Sequence, residues 1–228
     1  MNNSYIIDAS NVCKTYRSSR NEVAALRGVD LRIERGEMVA VMGPSGCGKT
    51  TLLNCLSGLD TIDEGTVLLE GESIHAMSDH RRTELRRNRM GFVFQGYNLL
   101  PVLSAIQNVE LPLVIDGVPR REAHERAKQM LEMTDLGDRL EHRPMELSGG
   151  EQQRVAIARA LVTMPAVVWA DEPTGNLDSE RSGEIMDLLK RLNQEHNQAI
   201  IMVTHDAAIG QQAHRIIRMR DGQIESDK

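Results

Sequence analysis

The sequence predicts an α/β fold of the open-sheet kind with a helical block inserted into it. Three observations carry this. Gly43-Pro44-Ser45-Gly46-Cys47-Gly48-Lys49-Thr50 has the spacing of a phosphate-cradling loop. Continuous apolar runs at residues 38–42, 166–170 and 199–203 read as strands buried on both faces. Between residues 98 and 160 strand patterns give way to helical ones.

The loop sits in the right context. A short apolar strand precedes it, and Thr51-Leu52-Leu53-Asn54-Cys55-Leu56 can continue as a helix, having no Gly or Pro. That helix start would aim free N–H groups and a positive dipole end at the loop. The glycines let the backbone approach a polyanion, Lys49 can reach β- and γ-phosphates, and the Thr50 hydroxyl can hold Mg2+.

In chain order, residues 5–14 read as an edge-type strand with mixed alternation. Tyr16 follows in a polar stretch that runs to Asn21. Aromatic residues make up only 3% of the chain, so a tyrosine there stands out either as a surface residue or as a stacking platform for a purine. Residues 26–33 alternate as a strand, and Glu34-Arg35-Gly36-Glu37 turns back towards the loop strand. A break at residues 58–65 precedes another strand at 66–71. The five arginines from Arg81 to Arg89 read as a solvated helix face, with a patch for a membrane protein or anionic headgroups as the other option. Gly91-Phe92-Val93-Phe94 is a short strand ending at Gln95, whose amide can approach a metal or a water.

In the helical block, Ser104-Ala105-Ile106-Gln107 has capping-box form, and Pro112 is expected to kink the helix that follows. Residues 120–134 form an amphipathic stripe, with Gly137 expected to end it. Ser148-Gly149-Gly150-Glu151 is a second capping box, opening a helix that stops before Pro165. Such a helix start also offers N–H groups to an anion.

Residues 166–172 read as a strand with Asp171 and Glu172 at its carboxyl end, where ligands of open α/β sheets sit. One acid there can hold Mg2+ through its coordination shell and its neighbour can orient a water. Asp178 or Ser179 is positioned to cap the next helix. The strand at 199–204 ends at His205. A last strand at 215–219 and the turn Asp221-Gly222 close the chain, with no repeat or linker.

Composition excludes several classes. With 228 residues, 40% hydrophobic, the chain can bury the core of one domain. No apolar run reaches the ~20 residues of a membrane helix, and the N-terminus carries no signal-type segment. Three unpatterned cysteines point to a reduced, cytoplasmic compartment. A net charge of −6 argues against nucleic acid as the main partner.

Taken in order, these elements resemble the nucleotide-binding domain of an ABC transporter, across nearly the whole chain. "GPSGCGKTT" is similar to Walker A, "VVWADE" to Walker B and "LSGGEQQRVAIARAL" to the signature. Gln95 resembles the Q-loop, "GNLD" the D-loop, "VTHD" the switch histidine and Tyr16 the aromatic A-loop. Glu151 stands where many members have Gln. "FVFQGYNLLP", "NVELPL" and "DEPTGNLDS" resemble the lipoprotein-release and macrolide-efflux class.

The resemblance implies a P-loop ABC ATPase core with an antiparallel β subdomain (about 1–95 and 161–228) and a helical subdomain (about 96–160). It implies ATP and Mg2+ as ligands. Gly43 to Thr51 and Tyr16 would hold the nucleotide, with Thr50, Gln95 and Asp171 around the metal. Glu172, His205, Gln95 and Lys49 would carry the catalysis. Ser148, Gly149, Gly150 and Glu151 would close the site from a second copy, and Asp178 would couple the two sites. The partners would be a homodimer mate and a separate membrane permease meeting the segment 96–103, with the chain peripheral on the inner face of the membrane. Two other readings are a soluble ABC ATPase of DNA or ribosomes and a mechanical regulator that transports nothing.

Overall fold

The computed structural model describes residues 5–18 and 21–228. The first four residues and two of the polar stretch after Tyr16 lie outside the described residues, and with them that part of the signal-peptide and polar-stretch readings. Among the described residues no helix is long and apolar enough to cross a membrane.

The described residues form two sheets and seven α-helices. The first sheet holds β1 (Tyr5–Arg17), β2 (Glu22–Glu34), β4 (Glu64–Leu69) and the two-residue β5 (Glu72–Ser73), in the order β2-β1-β4-β5, all antiparallel. The second holds β3 (Met38–Met42), β6 (Met90–Phe94), β7 (Val167–Asp171), β8 (Ala199–Val203), β9 (Arg215–Arg220) and β10 (Gln223–Asp227), in the order β10-β9-β3-β8-β7-β6. Its strands run parallel except for β10.

All five residues of β3 and all five of β8 are buried, as the continuous apolar runs require. Alternate side chains feed two cores. Met38, Ala40, Val168, Ala170, Ile200 and Met202 join one side, Val39, Val41, Val167, Trp169, Ile201 and Val203 the other. The first core is roofed by α3 (Ala105–Ile115), α4 (Arg120–Met133), α5 (Gly149–Leu161) and α6 (Ser179–His196). The second lies between the sheets and takes in α1 (Lys49–Leu56). α2 (Asp79–Arg89), a 3-10 turn at Pro144–Glu146 and the short α7 (Ala207–Gly210) complete the chain.

Several sequence expectations change. β1 is no edge: it pairs with β2 on one side and β4 on the other, and Tyr16 lies on it rather than in a loop. Its register shifts break the alternation that would have shown its full length. The chain does not close at Asp221-Gly222 but turns there into β10. That strand has no buried residue, so no apolar alternation betrays it. Gly137 does not end α4. Asp135 does, at φ 61°, with the Leu136 and Asp135 N–H groups reaching back to the Leu131 and Glu132 carbonyls as a Schellman closure. α3 runs through Pro112. The arginines of α2 are largely committed within the fold: Arg82 to Asp79, Arg87 to Asp116 and Arg89 to Glu70.

Candidate nucleotide-binding site

The loop between β3 and α1 opens into a cleft of about 500 Å³ whose walls include Tyr16, Gly46, Lys49, Thr51 and Glu172. Gly48 precedes α1 at φ 104°, and a Cβ there would lie 2.4 Å from the Ala25 carbonyl oxygen, so only glycine fits. Gly48 brings no capping side chain, and the first turn of α1 carries no acid. Every other α-helix with a side-chain cap in this fold uses Ser or Asp: Ser78, Ser148, Asp178 and Asp206. The N–H groups of Lys49, Thr50 and Thr51 therefore start a helix with no partner of their own, and the dipole adds about half a positive charge. Lys49 is buried, its Nζ donating to the Gly43 and Pro44 carbonyls at 2.8 and 2.9 Å.

The parallel sheet brings the end of β7 to this helix start. Thr50 donates its hydroxyl to Asp171 Oδ1 at 3.3 Å. Burial pushes the Asp171 carboxyl above its ordinary value; Thr50 and Lys49 oppose that push and Glu172 adds to it. Glu172 turns away at φ 49°, an uncommon conformation for a side-chain-bearing residue, and its N–H is fixed to the Val203 carbonyl at 2.9 Å. This turn brings Glu172 Oε1 within 2.7 Å of His205 Nδ1, just beyond β8. The carboxylate raises the His205 pKa above its usual range, so the imidazolium is favoured.

A hydroxyl and one carboxylate suit Mg2+, which keeps most of its waters and takes phosphate oxygens as further ligands. No cluster of three His, Cys, Asp or Glu side chains occurs among the described residues, and a cation of this kind does not need one. Gln95 lies one residue past Phe94, which pairs in register with Asp171. Its side chain donates to Asn176 Oδ1 at 3.4 Å, while Asn176 donates back to the Gln95 carbonyl at 2.7 Å.

Ser148, Gly149, Gly150, Glu151 and Asp178 do not line the cleft. They gather elsewhere. A Cβ on Gly149 would lie 2.9 Å from the Tyr97 hydroxyl and 3.5 Å from Leu177, and one on Gly150 3.5 Å from Arg181. Ser148 and Glu151 form their capping box, with the Ser148 N–H donating to Glu151 Oε2 at 2.8 Å and the Glu151 N–H to Ser148 Oγ at 3.4 Å. Asp178 caps α6 through the Arg181 N–H at 2.9 Å.

Three partners escaped the sequence reading. Asp60 accepts the Tyr16 hydroxyl, Asn176 holds Gln95, and the β9–β10 turn braces the loop through Gly222 N–H to the Cys47 carbonyl at 3.0 Å. Asn176 falls within the "GNLD" motif, which gave a signal. The other two are long-range contacts with none.

The profile described as ABC transporter matches residues 26–175. An uncharacterized ABC transporter ATP-binding protein of Thermotoga maritima is 49% identical, over 96% of this chain and 94% of its own. The macrolide export ATP-binding/permease protein MacB of Syntrophobacter fumaroxidans is 46% identical over 97% of this chain, which spans 31% of that longer protein. A solved dimer of the cassette MJ0796, in a post-hydrolysis state bound to ADP and Pi, has a TM-score of 0.88 and 42% identity, covering 97% of both chains. A protein of that designation is recorded in Methanocaldococcus jannaschii. The profile spans more than half of the sequence, and the Thermotoga relative is similar across nearly all of it. The chain belongs to the ABC transporter family.

Proposed function

We propose that this chain, an ATP-binding and ATP-hydrolysing subunit of an ABC transporter, takes Mg-ATP at the start of α1 and completes its site with a second copy of itself. The observation that carries this is the uncapped, acid-free helix start, with Thr50 beside Asp171 and Glu172 beside His205.

The roles follow from position. The amides of Lys49, Thr50 and Thr51 donate to the phosphates. Lys49 exchanges the Gly43 and Pro44 carbonyls for phosphate oxygens, and Tyr16 offers its ring to the base. Thr50 and Asp171, joined by Gln95, would hold Mg2+, and the metal would supply positive charge against that developing on the phosphates. Glu172 accepts the proton of a water attacking the γ-phosphorus, leaving ADP and phosphate. His205 keeps that carboxylate oriented through Nδ1 and has Nε2 free to donate towards the γ-phosphate.

One cleft encloses only one side of such a polyanion. Ser148, Gly149 and Gly150 lie off it, so their helix start serves the partner's nucleotide, with Glu151 fixing the Ser148 cap and Asp178 at the seam. The dimeric solved relative supports this arrangement. Hydrolysis removes the group both copies grip, and with it the energy that favours the closed pair.

A separate groove of about 460 Å³ lies where the block of about 96–160 meets the core, lined by Leu59, Phe92, Phe94, Ile115 and Arg159 among others. It adjoins the segment 96–103, whose Val102 is 73% exposed. We assign this groove to the membrane permease, which places the chain on the inner face of the membrane. Relatives named for macrolide export favour outward movement of cargo over regulation without transport. Together with the net charge of −6, they disfavour a role on DNA or ribosomes.

The decisive variant is Glu172→Gln. It is expected to bind ATP normally, to lose roughly a thousand-fold in turnover, and to elute as an ATP-bound dimer. A variant that stays monomeric in saturating Mg-ATP, alone and beside its permease, overturns the paired site.

A further inference from the structure

Tyr16 is not a loosely placed surface ring. Its hydroxyl donates to Asp60 Oδ2 at 2.7 Å. The other oxygen of the same carboxylate accepts Lys14 Nζ at 2.9 Å. Lys14 is buried at 7% exposure, and it also donates to the Thr61 carbonyl at 2.7 Å. Its ammonium lies 5.2 Å from the centre of the Tyr16 ring, so one face of the ring is covered by a cation. The ring still lines the cleft and is 43% exposed. A single face is therefore left to meet a base.

The segment carrying Asp60 is tied down twice more. Asp63 accepts the Thr15 N–H at 2.6 Å, and the Asp63 N–H donates to the Cys13 carbonyl at 2.9 Å. That segment follows α1, and the Asp60 N–H returns to the Asn54 carbonyl of the helix at 3.1 Å. Asp60 thus connects the ring to the same helix whose first turn offers the phosphate donors. A side chain with two torsions normally spends part of its time off the productive position, and fixing it in advance removes that entropic cost from binding.

We propose that Asp60, neutralised by Lys14, is a positioning residue for the nucleotide base: it locks the Tyr16 ring at a fixed distance and angle from the phosphate cradle. This rests on the reading of Tyr16 as the base platform. The device acts on ligands that carry a base and leaves the phosphate grip alone.

The test compares binding of Mg-ATP and Mg-tripolyphosphate by calorimetry to wild type, Tyr16→Phe, Asp60→Ala, the double variant and Tyr16→Ala. Tyr16→Phe keeps the ring and all of the Lys14–Asp60 contacts, so it does not put folding at risk. It is expected to weaken ATP roughly three- to ten-fold, the worth of one net hydrogen bond, and to leave tripolyphosphate unchanged. Asp60→Ala should match it, and the double variant should be no worse than either. Wild-type ATP affinity in Tyr16→Phe overturns the proposal. So do losses that add in the double variant, or an equal loss for tripolyphosphate. Tyr16→Ala separates the two readings: unchanged ATP affinity there removes the base platform itself, whereas a loss there with none in Tyr16→Phe removes only the positioning role.

Discussion

The starts of α1 and α5 are both rich in glycine and both are assigned to phosphate, yet they are finished differently. α1 begins at Gly48 with no capping side chain and no acid in its first turn. α5 begins at Ser148 and is closed by its own Glu151, which Arg139 also holds at 3.2 Å. A capping carboxylate and a bound phosphate compete for the same N–H groups and the same dipole. A helix start that grips a polyanion directly must leave them open. One that meets phosphate only when a partner arrives has to be stable by itself beforehand, and the box leaves just the Gly149 and Gly150 amides uncapped. The difference is between a site completed by ligand and a site completed by its own side chains.

The comparison can be broken most decisively at Lys49. If the bare start of α1 needs its cation, Lys49→Ala loses on the order of 100-fold in ATP affinity, since charge-assisted contacts are worth about 1.5–3 kcal/mol each. Unchanged binding in a calorimetric titration would mean that amides alone suffice. Ser148→Ala tests the other start. It should cost about 0.5–1 kcal/mol in urea unfolding, the lower range for a cap because the Oγ contact is a long 3.4 Å. ATP binding by a single copy should not move, while ATP-driven pairing weakens. A drop in single-copy affinity contradicts the division of labour.

The smallest effect is a pH dependence. Hydrogen bonds from the Ser148 backbone and side chain, and then Arg139, hold the Glu151 carboxyl below its ordinary 4.5. A lowered carboxyl contributes stability that is present above the unfolded value and lost as pH falls through the folded one. Wild type should therefore lose stability as pH falls below 4.5, by a small amount because solvent screens a carboxylate this exposed. Glu151→Gln, which keeps an acceptor but no charge, should show that loss reduced. Parallel acid limbs in the two denaturation series would remove Glu151 as an ionised cap.

The Ser148 capping box and the strand–loop–helix unit were legible because they are local: Ser148 and Glu151, or Gly48 and Lys49, are neighbours in sequence and their spacing states their geometry; at Ser104 only the half from its N–H to Gln107 Oε1 forms. The buried strands were legible because a run such as Met38 to Met42 has no polar face to spare. β10 and the full length of β1 were not, since exposed or bulged strands carry no clean period. The α4 terminus was misread because Asp135, rather than the nearby glycine, adopts the left-handed conformation.

By itself the sequence determined the α/β class, the phosphate loop, the two acids at a strand end and the helix starts that flank them. Each is a short pattern whose spacing dictates its own backbone. Only the tertiary structure decided that Thr50 meets Asp171 across 121 residues, that Glu172 meets His205 and that Asp60 holds Tyr16. Those contacts depend on the order in which strands lie in a sheet. That order is chosen by the packing of two cores against each other, and no local spacing records it.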